Sequence, residues 1–211
     1  MTTRDTLAAQ LLDRAGDTYA DEAGISLKDT PKPLFQLLVL CMLASKPIDA
    51  AIAVRAADEI FRTGLRTPEA VLDADRQTMI AAFGRAGYAR YDESSATRLV
   101  DIATSVREHY HGDLRALAAA AEGDAGHAAK LLQEFKGIGP TGAAIFLREV
   151  QDVWTWVRPY FDERALGAAR DVGLPTDPDA LAALAPRRVA NLAAALVRVS
   201  LDAELRDALT G

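Results

Sequence analysis

Two features of the sequence could take part in chemistry: a glycine-rich turn and a carboxylate that follows it. In Gly137-Ile138-Gly139, the glycines permit a sharp reversal with positive φ, and Ile138 can anchor the turn in a core. A helix that begins directly afterwards would point its unpaired N–H groups outward, where they suit one phosphate. Asp162 follows a Trp/Pro-rich link, and a carboxylate there could act as a catalytic acid.

Each feature also has a purely structural interpretation. Short glycine turns commonly connect two helices that need small residues at their corner. Asp is also a favoured N-cap, so Asp162 could simply open the helix predicted at 163–172. Residue types and spacing alone therefore leave both interpretations open.

The elements that must position these residues are predicted to be helices. Half of the residues are hydrophobic but only 6% are aromatic, a composition that favours helices over β-sandwiches and β-barrels. We therefore predict an all-α fold, with the run from Leu34 to Ser45 as its core helix because nearly every face of that run is apolar. The other predicted helices are 3–15, 50–61, 75–83, 92–110, 114–121, 125–135, 163–172 and 187–208, and two further short helices are predicted to open at Thr67-Pro68 and at Asp177-Pro178.

Charge and cysteine content narrow the functional classes. The net charge of −6 argues against a broadly basic nucleic-acid surface, although a small contact through backbone N–H groups needs few cations. The single Cys41 excludes a disulfide within the chain and a cysteine-ligated metal cluster. The first residues are charged and the longest apolar run is too short to span a bilayer, so we expect a soluble, cytoplasmic protein with no membrane partner.

Four segments together resemble one known family. FKGIGPTGAAIFL is similar to the helix-hairpin-helix of the base-excision DNA glycosylases related to endonuclease III, the HhH-GPD superfamily. The stretch from Asp162 to Leu166, followed by Gly-Leu-Pro, resembles the family's segment around its catalytic aspartate. The run from Pro33 to Asp49 resembles its first core helix, and Gly87 to Tyr91 resembles the turn before its long helix. The order of the four segments is also that of the family.

This resemblance implies a fold, a function and a set of site residues. The fold would be a two-lobed HhH-GPD-type helical fold, with residues 31–152 as a bundle and residues 1–30 plus 153–211 as a second small domain. The protein would be a DNA glycosylase that flips a damaged or mismatched base out of double-stranded DNA and hydrolyses its N-glycosidic bond with Asp162. The DNA contacts would be Gly137, Ile138, Gly139, Thr141 and Gly142, with Lys46 filling the vacated stack, and the pocket would include Tyr88, Arg90, Tyr91 and Tyr160. Each of the last five residues also has a structural interpretation: Lys46 as a solvated cation at a helix C-terminus, Tyr88 to Tyr91 as a corner of the bundle, and Tyr160 as a core residue.

The departures from the family pattern narrow the expected activity. Bifunctional members carry a Lys where this chain has Thr141, and a hydroxyl cannot form a Schiff base, so we expect a monofunctional enzyme without lyase activity. The family's four-cysteine cluster is absent, so no iron–sulfur cofactor is expected; a monovalent cation at the hairpin is the one ligand that the resemblance allows. We expect a monomer.

Two alternatives remain open. The acidic net charge, the Glu163-Arg164 pair and the long gap from Thr141 to Asp162 are also consistent with a catalytically inactive protein of the same fold that binds DNA structures or lesions. A helical interaction module that uses the glycine turn only for packing is the other alternative.

Overall fold

The computed structural model describes residues 3–210, and all regular structure in that range is helical. The prediction of an all-α fold is therefore confirmed for the described residues. The α-helices are α1 (Arg4–Ala15), α2 (Tyr19–Glu22), α3 (Pro31–Ala44), α4 (Ala50–Arg62), α5 (Pro68–Asp73), α6 (Arg76–Arg85), α7 (Asp92–Tyr110), α8 (Arg115–Ala120), α9 (Ala125–Gln133), α10 (Pro140–Val150), α11 (Glu163–Asp171), α12 (Pro178–Leu184), α13 (Val189–Leu201) and α14 (Ala203–Thr210). Two short 3-10 helices occupy Ala89–Tyr91 and Thr155–Val157.

The chain divides into two compact units. The central unit is residues 20–146, and the terminal unit takes the chain up to Tyr19 and from Leu147 onward. Residues 20–30 therefore join the central unit instead of the N-terminal segment with which the sequence prediction grouped them. Part of that loop lines a cavity with residues of α3 and α4. Residues 147–152 join the terminal unit, where the Gln151 amide bonds to the Tyr160 backbone in both directions.

The central unit is built around α3. All ten residues from Leu34 to Leu43 are buried, as predicted for a core helix. The helix begins earlier than predicted, at Pro31, because prolines are tolerated in a first turn, where their missing N–H would have had no partner. It packs mainly against α4, which buries one apolar face that includes Ile60 and Phe61.

The terminal unit has its own apolar core. Helices α1, α11 and α13 supply most of it, with fully buried side chains that include Leu11, Leu192 and Leu196. The Asn191 side chain donates a hydrogen bond of 2.7 Å to the Gly16 carbonyl, which joins α13 to the end of α1.

The prediction of one last helix at 187–208 is wrong. That segment forms two helices, α13 and α14, interrupted at Asp202. The Asp202 backbone is extended, and its carboxylate accepts a hydrogen bond of 2.9 Å from the Leu205 N–H. Asp at this position therefore opens a new helix, because a side-chain acceptor satisfies N–H groups that a continuous helix would pair internally.

Within residues 3–210, no single helix is long and apolar enough to cross a membrane. One bent pair, α12 with α13, meets the length and composition criteria across a bend of 105°.

Candidate functional site

The glycine turn before α10 has the predicted reversal at its first glycine. Gly137 has a φ of +96°, the left-handed region that favours glycine. Ile138 is buried, as predicted for the anchor of the turn, and its N–H donates a hydrogen bond of 3.0 Å to the Phe135 carbonyl. A Cβ placed on Gly137 would also lie 3.2 Å from Cδ of Arg98. The first half of the turn is therefore a packed corner and presents little to a ligand.

The second half of the turn is more open. Gly139 does not have a positive φ, and a Cβ placed on it would meet no atom within 4 Å. Its carbonyl accepts the first bond of α10, 3.0 Å from the Ala143 N–H. The N–H groups of Thr141 and Gly142 therefore precede the first intrahelical donor and have no helical acceptor. Thr141 is exposed and Gly139 is partly exposed, so these two residues form the accessible start of this helix.

Gly142 was predicted to contact DNA, but it is buried in the structure. A Cβ there would lie 3.3 Å from Cγ2 of Ile138 and 3.5 Å from the Cys41 carbonyl oxygen of α3. The missing side chain thus allows α10 to approach α3 closely. Of the five predicted contacts in the turn, Gly137, Ile138 and Gly142 serve packing, and Gly139 and Thr141 are the accessible ones.

Two cations lie beside the turn although the chain as a whole is acidic. Arg98 of α7 contacts the position of Gly137 and pairs with Asp101 at 2.8 Å. Lys136 directly precedes the turn, and its Nζ is 3.9 Å from the same carboxylate. Two cations against one carboxylate leave a local positive charge. Lys136 adjoins the turn in the sequence, but nothing in the sequence indicated that Arg98 of α7 lies there.

Three of the predicted site segments converge at the C-terminal end of α3. A Cβ placed on Gly137 would lie 3.4 Å from Cγ of Met42, and one placed on Gly142 would lie close to the Cys41 carbonyl. The Leu43 carbonyl accepts a bond of 3.0 Å from the Tyr88 hydroxyl and one of 3.4 Å from the Lys46 N–H. The glycine turn, Lys46 and the segment around Tyr88 therefore share one end of one helix.

Lys46 remains available at this end of α3. The residue is half-buried, and its side chain has no hydrogen-bond or ion-pair partner among residues 3–210. Its ammonium group is therefore able to take an acceptor from outside the chain.

Tyr88 is a core residue and, contrary to the prediction, does not line an open pocket. Its side chain is fully buried, and its ring packs against Phe83 at a centroid distance of 5.6 Å. Burial raises the pKa of the Tyr88 hydroxyl to about 12. Arg90 is exposed and lies over the ring of the half-buried Tyr91, 5.4 Å from its centroid. Arg90 and Tyr91 thus remain accessible, while Tyr88 fixes their segment to α3.

Asp162 lies in the terminal unit and caps α11. One carboxylate oxygen, Oδ1, accepts a hydrogen bond of 2.9 Å from the Ala165 N–H. The other, Oδ2, accepts one of 2.6 Å from a terminal nitrogen of Arg148. The side chain is 13% exposed. A carboxylate can accept about four hydrogen bonds, so each oxygen retains capacity for a water or a substrate group.

Arg148 is the partner of Asp162 that sequence reasoning missed. Its side chain is 2% exposed, and a second carboxylate, that of Glu149, lies 3.7 Å from its other terminal nitrogen. Burial by itself would lower the pKa of the guanidinium, but Glu149 and Asp162 outweigh it and raise that pKa. The Tyr19 ring centroid lies 5.5 Å from the centre of the same group. The available signal was the adjacent pair Arg148-Glu149 within the otherwise apolar run IFLREV.

Tyr160 lies close enough to this ion pair to respond to its charges. It is half-buried, and its backbone is fixed by the two hydrogen bonds to the Gln151 side chain, each of 2.9 Å. Burial and the nearby charge of Asp162 raise the pKa of its hydroxyl, whereas Arg148 acts in the opposite direction. Asp162 and Tyr160 therefore belong to one electrostatic cluster.

The absence of an iron–sulfur cofactor and the binding of a monovalent cation at the hairpin both stay predictions. Within residues 3–210, no three His, Cys, Asp or Glu side chains are grouped so that they could hold a metal ion. Cys41 is buried and forms no disulfide with any described residue.

Comparisons with known proteins give a distant structural likeness. No protein-family model matches the chain, and no curated protein sequence does. Among solved structures, a trapped covalent intermediate of endonuclease III with DNA, in an estranged-adenine complex, matches with a TM-score of 0.49 and 14% sequence identity. The match covers 94% of this chain and 86% of that one. At these values it carries no argument about activity, so the functional question rests on the residues themselves.

Proposed function

We propose that this protein is a monofunctional DNA glycosylase that removes a damaged or mismatched base from duplex DNA. The observation that carries the proposal is the state of Asp162, an oriented and partly exposed carboxylate at the position that the family resemblance assigns to the catalytic acid. An oriented carboxylate can stabilise the cationic sugar that forms when an N-glycosidic bond breaks, and it can direct a water to it.

The start of α10 supports a role in DNA binding. Gly139 and Thr141 are accessible, the N–H groups of the first turn have no helical acceptor, and Arg98 and Lys136 lie beside the turn. A helix N-terminus with neighbouring cations suits one backbone phosphate. Lys46 lies at the same end of α3 and is long enough to enter a base stack, which is the role proposed for it.

The absence of a lysine at position 141 determines the proposed reaction type. The hydroxyl of Thr141 cannot form the Schiff base that leads to β-elimination, so the product would be an intact strand with an abasic site. The proposed enzyme therefore leaves strand breakage to alkali or to a second enzyme.

One observation favours a second function, DNA binding without turnover. Arg148 compensates the charge of Asp162 at 2.6 Å, and a carboxylate already paired with a guanidinium has less field left to stabilise a cationic sugar. A glycosylase would have to use Asp162 within this pair. A binding protein would use the pair only to hold α11 in place.

A lesion screen distinguishes the two functions. Duplexes that contain uracil, an alkylated purine or a mismatched thymine would be incubated with the protein and analysed with and without alkali. The glycosylase proposal predicts alkali-dependent breakage of at least one substrate and a loss of roughly 100-fold or more in rate for Asp162→Asn. Breakage without alkali would contradict the interpretation of Thr141.

The matched control is Asp177→Asn. Asp177 caps α12 in the same unit through the same type of bond, 2.9 Å from the Ala180 N–H, and it is exposed. It should keep the wild-type rate. Equal rates for Asp162→Asn and wild type would refute the catalytic role. Salt-dependent duplex binding with no product on any lesion would support the second function.

Gly139→Ala tests the phosphate contact separately. The added methyl group meets no protein atom within 4 Å, so the fold should tolerate it, but it would obstruct close approach of a phosphate. We expect weaker duplex binding with unchanged thermal stability. If Gly139→Ala binds the duplex with wild-type affinity, the turn is not part of the DNA interface.

A further inference from the structure

A second candidate site lies at the opposite end of α3 from the glycine turn. A cavity of about 400 Å³ is bounded by the loop at residues 23–30, the start of α3 and the end of α4, all within the central unit. The length of α3 separates this cavity from Lys46 by roughly 20 Å. Its volume is in the range of small-molecule sites, about 300–1,000 Å³.

The cavity is basic although the chain carries a net charge of −6. Four cationic side chains line it against one carboxylate, that of Asp58, and the four are Lys28, Lys32, Arg62 and Arg66. Asp58 pairs with Arg62 at 3.0 Å. Arg66 donates from Nε to the Phe61 carbonyl at 2.6 Å, which orients its guanidinium and leaves the terminal nitrogens for another acceptor. Local charge and geometry both favour an anion.

The start of α3 adds to the positive potential. Its first turn contains Lys32 and no acidic residue, and the Thr30 side chain makes no capping hydrogen bond. The partial positive charge of this helix end is therefore uncompensated by its own first turn.

Gln36 is the observation that indicates a ligand. The residue is only 8% exposed, it lines the cavity, and its side-chain amide makes no hydrogen bond to any described residue. The amide nitrogen and oxygen of Gln36 are open to the cavity and are not sealed in the core. A ligand in the cavity would have to offer this amide both an acceptor and a donor, because displacing its water without replacing the hydrogen bonds would cost free energy.

We propose that this cavity binds a phosphate-bearing small molecule of nucleotide size. The phosphate would lie against Lys32, Arg66 and the N-terminus of α3, and the uncharged part of the ligand would bond to the Gln36 amide. The proposal goes beyond the glycosylase proposal and does not depend on it, because none of the cavity residues belongs to the proposed glycosylase site.

Isothermal titration calorimetry with three probes tests the proposal. The probes are adenosine monophosphate (AMP), inorganic pyrophosphate and adenosine, each titrated into the full-length protein. AMP and pyrophosphate should bind at one site, and adenosine should bind at least tenfold more weakly than AMP. No heat from AMP or pyrophosphate at millimolar concentration would overturn the proposal.

Variants locate the site. Lys32→Gln combined with Arg66→Gln should raise the Kd for both anions at least tenfold, and Gln36→Leu should weaken AMP more than pyrophosphate. Arg55→Gln is the matched control, because Arg55 is an exposed cation of α4 that does not line the cavity. Lys32→Gln alone removes no hydrogen bond or ion pair within the described fold and should raise the Kd severalfold. This single variant keeps the proposal testable if the double variant is unstable.

Two further outcomes would overturn the proposal. Equal Kd values in wild type, Arg55→Gln and the double variant would place any anion binding elsewhere. A short DNA duplex that binds the wild type tenfold more tightly than the double variant, without any binding of AMP, would assign the cavity to the DNA backbone instead of a small molecule.

Discussion

Helices α11 and α12 begin with an aspartate that caps the helix in the same way, but the two aspartates have different surroundings. Asp162 and Asp177 each accept a hydrogen bond of 2.9 Å from the N–H three residues ahead. Asp177 is exposed and forms no ion pair with any described residue. Asp162 is 13% exposed and also accepts a bond from the buried Arg148. The cap is common to both, and the buried partner distinguishes one of them.

This difference shows why a capping aspartate alone does not indicate a functional site. An exposed cap stabilises a helix by about 1 kcal/mol and needs nothing else. A buried ion pair requires desolvation of both charges, and the attraction between them often does not offset that cost. A buried ion pair is therefore weak evidence that the pair stabilises the fold. The cluster of Arg148, Glu149 and Asp162 therefore has a desolvation cost that the exposed cap at Asp177 does not have.

The largest expected effect is that of Arg148→Met. Removing the guanidinium would leave the carboxylates of Asp162 and Glu149 without their buried cation, and we expect a loss of about 3–5 kcal/mol in the free energy of unfolding. Urea denaturation followed by circular dichroism measures it. A loss below about 1 kcal/mol would mean that water already solvates the cluster, and the contrast with Asp177 would disappear.

A smaller difference is expected between Asp162→Asn and Asp177→Asn. Asn is as good a cap as Asp, so the exposed site should change by less than about 0.5 kcal/mol. At position 162 the charge-assisted bond to Arg148 is lost, but Glu149 remains, and we expect a loss of about 1.5–3 kcal/mol. Equal losses in parallel urea titrations would show that the ion pair adds nothing to the cap.

The features of these two helix starts could be read from the sequence only in part. Asp before a run of helix formers predicts a cap, and the structure has caps at both Asp162 and Asp177. The same local signals predicted the core helix α3, the left-handed Gly137 and the buried Ile138. These features depend on residues within one or two turns, where short-range sterics and hydrogen bonds decide the conformation.

Contacts between residues that are far apart in the sequence could not be predicted from these local signals. Arg148 meets Asp162 from another helix, and Tyr88 reaches the Leu43 carbonyl across 45 residues of sequence. Aromatic residues in a glycine-rich turn suggested an open pocket, but the Tyr88 hydroxyl has a buried acceptor, and its ring lies in the core. The break at Asp202 was missed because apolar periodicity continues across it, while the cap that opens the next helix is a single side chain.

The cap itself should contribute equally at the two sites. Replacing Asn by Ala removes the remaining acceptor, so the step from Asp162→Asn to Asp162→Ala should cost about 1 kcal/mol, as should the step from Asp177→Asn to Asp177→Ala. The same denaturation experiment measures both steps. A much larger loss of stability from Asn to Ala at position 162 than at position 177 would contradict this. It would show that the asparagine side chain at position 162 bonds to a buried group besides the Ala165 N–H.

The smallest effect is a change in the pKa of the Tyr160 hydroxyl. Burial raises this pKa above its ordinary value of 10, the charge of Asp162 raises it further, and Arg148 lowers it. Asp162→Asn removes a negative charge that opposes formation of the tyrosinate, so the pKa should fall towards 10, whereas Asp177→Asn should leave it unchanged. The ring-carbon chemical shifts of ¹³C-labelled tyrosine report the titration, with Tyr160→Phe to assign the signal. An unchanged pKa in Asp162→Asn would separate Tyr160 from the ion pair and remove it from the proposed catalytic cluster.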